Sequence, residues 1–432
     1  MNNKKIVLGT ILVAVIALSI VGCSGGDGGK TLTSPEALKA YLDKQSANST
    51  EKPIKVSMGV NEPMLPKIVE VINSTGKYVS LNLTGNILTE IPEKAFNNCK
   101  MLVSVTIPKS VTSIEVEAFR GCEKLASVTI PNSDIGIGNG AFRDCTSLTS
   151  ITMPNSVTSI GNGAFMGCSS LANITIPNRI YTIGRLTFSD CTSLTSITIP
   201  DSVDDIDSEA FTGCSSLASI TVGSGNLSYA SEGGILYNKE KTFIFIVPKG
   251  LTGNVTIPNS VINIGENAFK YCPNLTSITV DSGNTIYTSE GGIVYNKAKT
   301  NIIAVPGGIT VVTIPDSVTR IGENTFMDCK SLTSVTIPNS VTSIETQAFY
   351  GCESLTSVTI PKSVTRIGEN AFKGATGYEN LTSIKFESAS IKAYFSGYTP
   401  SFPGANSLLT AYSAGGIGTY TRERGKNNWT KQ

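Results

Sequence analysis

A repeat of 23 residues constrains the fold of this chain more than any other feature. Its cleanest copy runs from Val335 to Ser357 and reads VTIPNSVTSIETQAFYGCESLTS. The phenylalanine of the repeat recurs at Phe96, Phe119, Phe142, Phe165, Phe188, Phe211, Phe269, Phe326, Phe349 and Phe372. Seven of the nine intervals are 23 residues, and the other two are 58 and 57. Such a period predicts a solenoid in which each turn buries its apolar face only against its neighbours.

The first part of each copy predicts a β-strand. Leu355, Val358 and Ile360 follow the spacing L-x-x-I-x-I, so their side chains share one face of an extended segment. The proline that follows, Pro361 in this copy, has no N–H to donate to a sheet. The proline is therefore expected to end the strand and to begin a bend.

The second part of each copy predicts a short strand and a helical turn. Val341 and Ile344 point inward from the short strand, and Ala348, Phe349 and Cys352 have the i, i+1, i+4 spacing of one apolar helical face. The predicted fold class is an α/β solenoid of 23-residue turns. A parallel β-sheet forms its concave face, and short strands and helical turns form its convex side.

The two long intervals contain two related segments. Residues 223–250 read GSGNLSYASEGGILYNKEKTFIFIVPKG, and residues 281–308 read DSGNTIYTSEGGIVYNKAKTNIIAVPGG. In each, a Gly-Gly pair precedes an apolar trio, an Asn-Lys turn and a second apolar run that ends at Val-Pro. This order predicts a β-hairpin insertion in place of a plain turn.

The candidate ligand-binding residues are aromatic side chains of these two insertions. Specific interfaces rely most on Tyr, Trp and Arg, whereas the outward strand positions of the repeats are almost all Ser and Thr. The candidates are Tyr229, Tyr237, Phe245, Tyr287 and Tyr295. The alternative is that these aromatic rings only fill the core of an enlarged turn.

The N-terminal segment predicts export and a lipid anchor. Residues 1–22 begin with two lysines and continue as an apolar run that is too short for a spanning helix. The segment ends in a pattern that resembles a bacterial lipobox, in which Cys23 is acylated. Residues 23–30 then form a Gly-rich tether. A plain signal peptide or a signal anchor, with an incidental cysteine, is the alternative.

The remaining segments are expected to cover the ends of the solenoid, because the terminal turns of a repeat array need a polar outer face. Residues 31–84 are predicted to form an N-terminal α/β cap with a helix that begins after Ser34. The repeats occupy residues 85–385, and residues 386–432 are predicted to form a C-terminal cap.

Charge and histidine content argue against several functions. Lys+Arg number 34 and Asp+Glu number 33. Without residues 1–22, which hold two lysines, the balance is 32 against 33. This balance does not favour a nucleic-acid partner. The chain has no histidine, which excludes Ser-His-Asp and Cys-His catalysis and His-ligated metals. We therefore expect no enzyme activity, no metal and no cofactor.

Nine of the ten cysteines share one repeat position: Cys99, Cys122, Cys145, Cys168, Cys191, Cys214, Cys272, Cys329 and Cys352. A single cysteine per turn cannot supply the four closely spaced ligands of a zinc site. An inward position in each turn predicts a packed column of reduced thiols. Disulfides between adjacent turns are the alternative, because stacked cysteines lie about 5 Å apart and exported chains favour oxidation.

The repeat resembles the leucine-rich repeats of the BspA type, or Treponema pallidum type, found in bacterial surface proteins. The resemblance covers about residues 85–385 and rests on L-x-S-I-T-I-P-x-S-V-T-x-I-G-x-x-A-F-x-x-C. The S-E-G-G-I-x-Y-N-K-x-K-T insertions also look like insertions of that family. The resemblance implies a right-handed leucine-rich-repeat superhelix.

The same resemblance implies a cell-envelope protein that is lipid-anchored, surface-exposed and adhesive. Ser24 after Cys23 fits sorting to an outer membrane. The implied partners are a protein or glycoprotein on host or neighbouring cells and, through the anchor, the membrane. The family has no fixed binding motif to transfer to this chain. A structural or carbohydrate-binding envelope protein is the alternative function.

Overall fold

The computed structural model describes residues 31–265, 268–269, 272–374, 380–388, 391–393, 401–424 and 426–432. The predicted signal peptide, the Gly-rich tether and Cys23 lie outside the described residues. Within the described ranges, no helix has the length and apolar content needed to cross a membrane.

One strand from each turn lies on the same side of the solenoid, parallel to its neighbours, and we call this set of strands the front sheet; its hydrogen-bonded pairing forms five blocks, with breaks that include the two insertions. Ser104 pairs with Ser127, and Ser127 pairs with Ser150, so the register advances by one repeat per strand. Its strands are Ile54–Gly59, Val79–Thr84, Leu102–Thr106, Ser127–Thr129, Ser150–Thr152, Asn173–Ile174, Ser196–Ile199, Ser219–Val222, Gly253–Ile257, Leu275–Val280, Val311–Thr313, Ser334–Thr336, Ser357–Ile360 and Ser383–Phe386. The predicted solenoid with a parallel sheet is confirmed.

A second set of short parallel strands, which we call the back ladder, forms the opposite side of the solenoid. Its strands are Glu90–Ile91, Ser113–Ile114, Ile135–Ile137, Val157–Ile160, Thr182–Ile183, Asp205–Ile206, Asn263–Ile264, Arg320–Ile321, Ser343–Ile344, Arg366–Ile367 and Lys392–Ala393. A proline turn joins the two sides, since the Val341 N–H donates to the Pro338 carbonyl at 3.2 Å. The prediction that each proline ends a front strand is confirmed.

The segment around Ala-Phe-x-x-Cys, which we call the corner segment, differs from the predicted helical turn. Gln347 and Gly351 have φ angles of 54° and 73°, which lie outside the right-handed helical region. The Phe349 N–H donates to Ala371 of the next turn at 2.7 Å, while the Tyr350 N–H donates to Gln347 at 3.1 Å. Alternate N–H groups therefore bond between turns, and the i to i−4 pattern of a helix cannot form.

Stacked phenylalanine rings form the centre of the core. Centroid separations between adjacent rings rise from 5.0 to 5.7 Å between Phe96 and Phe211. A second column begins at Phe326 and continues through Phe372 to Phe402, with separations of 4.9 to 5.0 Å. Phe402 belongs to the C-terminal segment and extends the column beyond the last repeat. The two insertions interrupt the column between these two parts.

The cysteines form a buried column beside the rings. The Cys122 thiol donates to the carbonyl oxygen of Phe96 in the preceding turn at 3.0 Å, and Cys145 donates to Phe119 in the same way at 3.1 Å. All nine described cysteines are free thiols. Burial raises the pKa of the Cys214 thiol to about 12, which disfavours the reactive thiolate. The predicted packed arrangement is confirmed.

Both predicted hairpins are present, and each has an additional strand that the sequence pattern did not predict. The strands are Tyr229–Glu232, Ile235–Asn238 and Phe243–Ile246 in the first insertion, and Tyr287–Glu290, Ile293–Asn296 and Ile302–Ala304 in the second. Within each insertion they pair antiparallel in chain order. In the first insertion, the third strand also pairs parallel with Asn263–Ile264 of the back ladder.

A buried asparagine fixes each insertion to the preceding turn. The Asn226 side-chain amide donates to the carbonyls of Pro200 and Val203 at 2.9 and 2.8 Å. Its side-chain oxygen accepts two N–H groups of its own loop, at 2.9 and 2.8 Å. Asn284 makes the equivalent four hydrogen bonds in the second insertion.

Helices lie at the two ends of the described chain. Helix α1 is Pro35–Asp43, a 3-10 helix is Glu62–Met64, helix α2 is Leu65–Thr75 and helix α3 is Ala405–Gly415. The Ser34 hydroxyl accepts the Ala37 N–H at 3.2 Å, as expected for a helix cap. Strands Gly418–Thr421 and Thr430–Lys431 continue the front sheet antiparallel after its last parallel strand.

Candidate functional site

Three of the five predicted ligand-binding residues lie inside the core. Tyr237 and Tyr295 are 1% and 0% exposed, and burial raises the pKa of the Tyr295 hydroxyl to about 12. Tyr287 is 8% exposed, and its hydroxyl donates to the Ile262 carbonyl at 3.3 Å. The positions of these three rings favour the alternative in which they fill the enlarged turns.

The other two predicted residues lie together in the first insertion and remain half-buried. The rings of Tyr229 and Phe245 have centroids 5.9 Å apart and planes tilted by 47°. Phe243 is also half-buried and meets Phe245 edge to face, again at 5.9 Å. The Tyr229 hydroxyl accepts the N–H of Ile206 at 3.0 Å, which holds this ring against the back ladder.

Two exposed carboxylates lie beside these rings. Asp204 and Asp205 immediately precede Ile206, whose N–H is bound by Tyr229. The pKa of the Tyr229 hydroxyl is raised, first by burial and then by the negative charges of Asp205 and Asp204. Among the described residues, no cationic group lies within ion-pair distance of either aspartate.

An exposed tyrosine continues this surface onto the preceding turn. The Tyr181 ring is 63% exposed, and the Tyr181 carbonyl accepts the Asp204 N–H at 2.9 Å. We call the combined surface the first-insertion patch. It consists of Tyr181, Asp204, Asp205, Tyr229, Phe243 and Phe245. It combines four aromatic rings with two exposed carboxylates.

The second insertion has different side chains at the matching positions. Asp204, Asp205, Phe243 and Phe245 correspond to Ile262, Asn263, Asn301 and Ile303. Ile246 corresponds to Ala304, and a groove of about 500 Å³ runs beside Ile303, Ala304 and Phe269. The second insertion therefore has the same hairpin without the acidic pair and without the two phenylalanines.

The outward hydroxyls of the front sheet bond to one another. The hydroxyls of Thr198 and Thr221 are 2.9 Å apart, as are those of Thr256 and Thr279. These contacts join adjacent strands of the front sheet. The threonines at these positions supply neither charged groups nor aromatic rings. Within the described ranges, no group of three or more His, Cys, Asp or Glu residues is arranged to hold a metal ion.

Sequence reasoning placed Tyr229 and Phe245 among the candidates but missed Tyr181, Asp204 and Asp205. A signal for them exists in departures from the repeat. The usual V-T-S-I of the back ladder reads V-D-D-I at residues 203–206 and I-Y-T-I at residues 180–183. At these outward positions the usual Ser or Thr is replaced by a charged or aromatic residue. Packing of the core does not require such a replacement.

Comparison with known proteins agrees with this fold. A family model described as the BspA type leucine rich repeat region, with six copies, matches residues 89–218, 135–252, 249–311 and 307–399. Together these matches extend over more than half of the chain. No curated protein in the comparison matches this chain.

Several solved structures are similar. A leucine rich cell surface protein from Faecalibacterium prausnitzii is 30% identical, with a TM-score of 0.53, and the alignment covers 72% of this chain and 78% of that one. A leucine-rich repeat protein from Eubacterium ventriosum is 26% identical, with a TM-score of 0.44 and coverage of 74% and 88%. One from Bacteroides ovatus is 27% identical, with a TM-score of 0.42 and coverage of 73% and 74%.

The family match covers the same repeats that form the parallel sheet, the back ladder and the stacked phenylalanines. The relative from Faecalibacterium prausnitzii covers more than two thirds of the chain at 30% identity. The chain therefore belongs to the BspA-type leucine-rich repeat family.

Proposed function

We propose that this chain is a cell-envelope lipoprotein whose solenoid binds a protein or glycoprotein on host or neighbouring cells. The observation that supports a binding role most strongly is the first-insertion patch, because it combines exposed Tyr181 and the exposed Asp204 and Asp205 with aromatic rings that pack against the core on one side and remain partly exposed on the other. The structural relative from Faecalibacterium prausnitzii is described as a cell surface protein. A location at the cell surface for this chain is consistent with that description.

The proposed attachment is through Cys23. Acylation of Cys23 after removal of residues 1–22 anchors the chain in the membrane, because each buried CH₂ of an acyl chain contributes about 0.8 kcal/mol. The tether at residues 23–30 then separates the anchor from the N-terminal cap at 31–84, the repeats at 85–385 and the C-terminal cap at 386–432. Sorting to the outer membrane, facing the medium, is part of the same proposal.

In the proposed ligand site, Tyr229 and Phe245 contact the partner directly. Tyr237 and Tyr295 contribute from inside the insertions by supporting the hairpins, and Tyr287 has this supporting role in the second insertion. The expected mode is protein recognition by a few aromatic anchors on an otherwise polar surface.

A cell-adhesion assay with the full chain tests this proposal. Intact cells that produce the chain are first treated with a protease, and the solenoid is expected to be degraded from outside. Adhesion of untreated cells to immobilised extracellular-matrix protein is expected to fall when soluble solenoid is added as a competitor. Cys23→Ser is expected to remove acylation, to release the chain from the membrane fraction and to abolish adhesion by these cells.

Two results contradict the proposal. The first is a chain that resists protease on intact cells but is cut in lysed cells, since such a chain is not surface-exposed. The second is adhesion that is unchanged by the soluble competitor and by Cys23→Ser. The alternative envelope function, without adhesion, predicts the second result.

A further inference from the structure

We propose that the first-insertion patch binds a basic segment of a partner protein, with Arg or Lys side chains seated against its rings and carboxylates. This inference rests on the proposed function and specifies its partner. It depends on three features of the described residues. These are the angles between the rings, the lack of an ion-pair partner for Asp204 and Asp205, and the pairing of two lysines of the insertion with other groups.

The rings present their faces at angles to one another. Tyr229 and Phe245 are tilted by 47°, and Phe243 and Phe245 by 60°. A saccharide chain stacks best on rings that share a plane, whereas tilted rings make a cup around a compact group. A guanidinium or ammonium ion is attracted to aromatic faces within about 6 Å of the ring centre. The geometry therefore fits a cationic side chain better than a sugar.

The acids of the patch lack the cations that other acids of the solenoid have. Glu209 pairs with Arg185 at 2.8 Å, and Glu345 in a later turn lies between Arg320 and Arg366, at 2.8 and 2.9 Å. Asp204 and Asp205 are exposed and have no such cation among the described residues. Their charges are thus available to an incoming basic group, which they attract most strongly at low salt.

Two lysines of the insertion already have partners. Lys241 pairs with Glu232 at 2.6 Å, and the Lys239 ammonium donates to the backbone oxygen of Asn226. Neither lysine therefore neutralises the two aspartates. A second copy of this chain docking through the same patch would oppose like charges. A basic segment of a different protein avoids that repulsion.

The test measures binding of labelled octa-arginine and octa-lysine to the full chain in detergent by fluorescence anisotropy, at about 20 and 150 mM NaCl. Octa-glutamate and cellohexaose are the negative probes. The patch variants are Asp204→Asn with Asp205→Asn, and Phe243→Asn with Phe245→Ile, which install uncharged or second-insertion residues.

Glu90→Gln with Asp316→Asn is the matched control, because both acids are exposed and unpaired among the described residues, and Glu90 has the repeat position of Asp205. Circular dichroism melting checks that each variant is folded.

We expect octa-arginine to bind more tightly than octa-lysine, and both to weaken as salt rises. The aspartate variant should weaken octa-arginine binding about tenfold, which corresponds to two exposed charge contacts. The phenylalanine variant should weaken it about threefold at both salt concentrations. The control pair should stay within about twofold of the unmodified chain.

Three outcomes overturn the inference: no binding of either basic peptide, an equal loss in the Glu90 and Asp316 control, or displacement of octa-arginine by cellohexaose. The last outcome would identify a carbohydrate site. These outcomes are independent of cell adhesion. Adhesion that persists when the peptides do not bind contradicts this inference but not the proposed function. Peptide binding by cells that do not adhere contradicts the proposed function instead.

Discussion

The two insertions share a buried frame but present different surfaces. Both have three antiparallel strands, a fully buried tyrosine and a buried asparagine with four hydrogen bonds. On the outside, the first has Asp204, Asp205 and two phenylalanines where the second has uncharged residues and a groove. The buried tyrosine and asparagine are common to both, so the hairpin forms without the acidic pair and the two phenylalanines. The residues of the first-insertion patch are therefore the ones that call for a functional explanation.

The strongest test of the shared frame removes its buried tyrosines. Tyr237→Ala and Tyr295→Ala should each lower the free energy of unfolding by about 3 to 5 kcal/mol, as expected for a buried aromatic ring. Phe349→Ala in a plain turn is the matched control, and a loss of similar size is expected there. Denaturant unfolding measures all three. A loss below about 1 kcal/mol at either tyrosine would mean that its ring is not part of the core.

Loss of the asparagines should have the next largest effect. Asn226→Ala and Asn284→Ala each leave two carbonyls and two N–H groups without their partner, at an expected cost of about 2 to 4 kcal/mol. The two losses should be equal within about 0.5 kcal/mol if the frames are equivalent. Asn226→Asp keeps an acceptor but places a buried carboxylate oxygen against the two carbonyls that the amide served, so a loss at least as large as that of Asn226→Ala is expected. Unequal losses at the two asparagines would show that the two frames differ.

Removal of the tyrosine hydroxyls should lower stability less than removal of the asparagines, and by different amounts in the two insertions. Tyr229→Phe leaves the Ile206 N–H without its acceptor and should cost about 1 kcal/mol, the usual contribution of one hydrogen bond. Tyr287→Phe removes a donor at 3.3 Å from the Ile262 carbonyl, so its cost should be smaller. Thermal melting of both variants provides the measurement. A larger loss of stability in Tyr287→Phe than in Tyr229→Phe would contradict this ranking of the two hydrogen bonds.

Filling the groove should have the smallest effect on stability. Ala304→Ile installs the residue of the first insertion and should raise the free energy of unfolding by about 0.5 to 1 kcal/mol, because it adds buried apolar contacts. Binding of octa-arginine should not change, since the groove is not part of the first-insertion patch. Weaker peptide binding in this variant would place the ligand in the second insertion.

The regular part of the fold was predictable because the same side chains repeat at one spacing. The stack at Phe326 and Phe349 follows directly from the 23-residue period, and the strand endings follow from proline. The corner segment was predicted as a helical turn, and its non-helical conformation could not be inferred from the sequence. Its apolar spacing fits a helix equally well, and the positive φ of Gln347 depends on hydrogen bonds to the next turn.

Features that occur once or twice could not be inferred from the period. Phe402 continues the phenylalanine column, but it lies outside every copy of the repeat. The hydrogen bonds of Asn226 reach the preceding turn, and a sequence pattern does not show such contacts. The aromatic candidates were found by residue type alone, which cannot separate buried Tyr237 from half-buried Tyr229. Only the three-dimensional packing separates the buried candidates from the half-buried ones.

If binding is confined to the first-insertion patch, mapping of a bound basic peptide tests this most directly. Octa-arginine carrying a photo-reactive group is bound to the full chain and irradiated, and the cross-linked residues are identified by mass spectrometry. We expect cross-links at Tyr181, at residues 204–209 and at residues 243–246, and their loss in Asp204→Asn with Asp205→Asn. Cross-links concentrated at residues 301–304, or spread evenly along the acids of the solenoid, would contradict it.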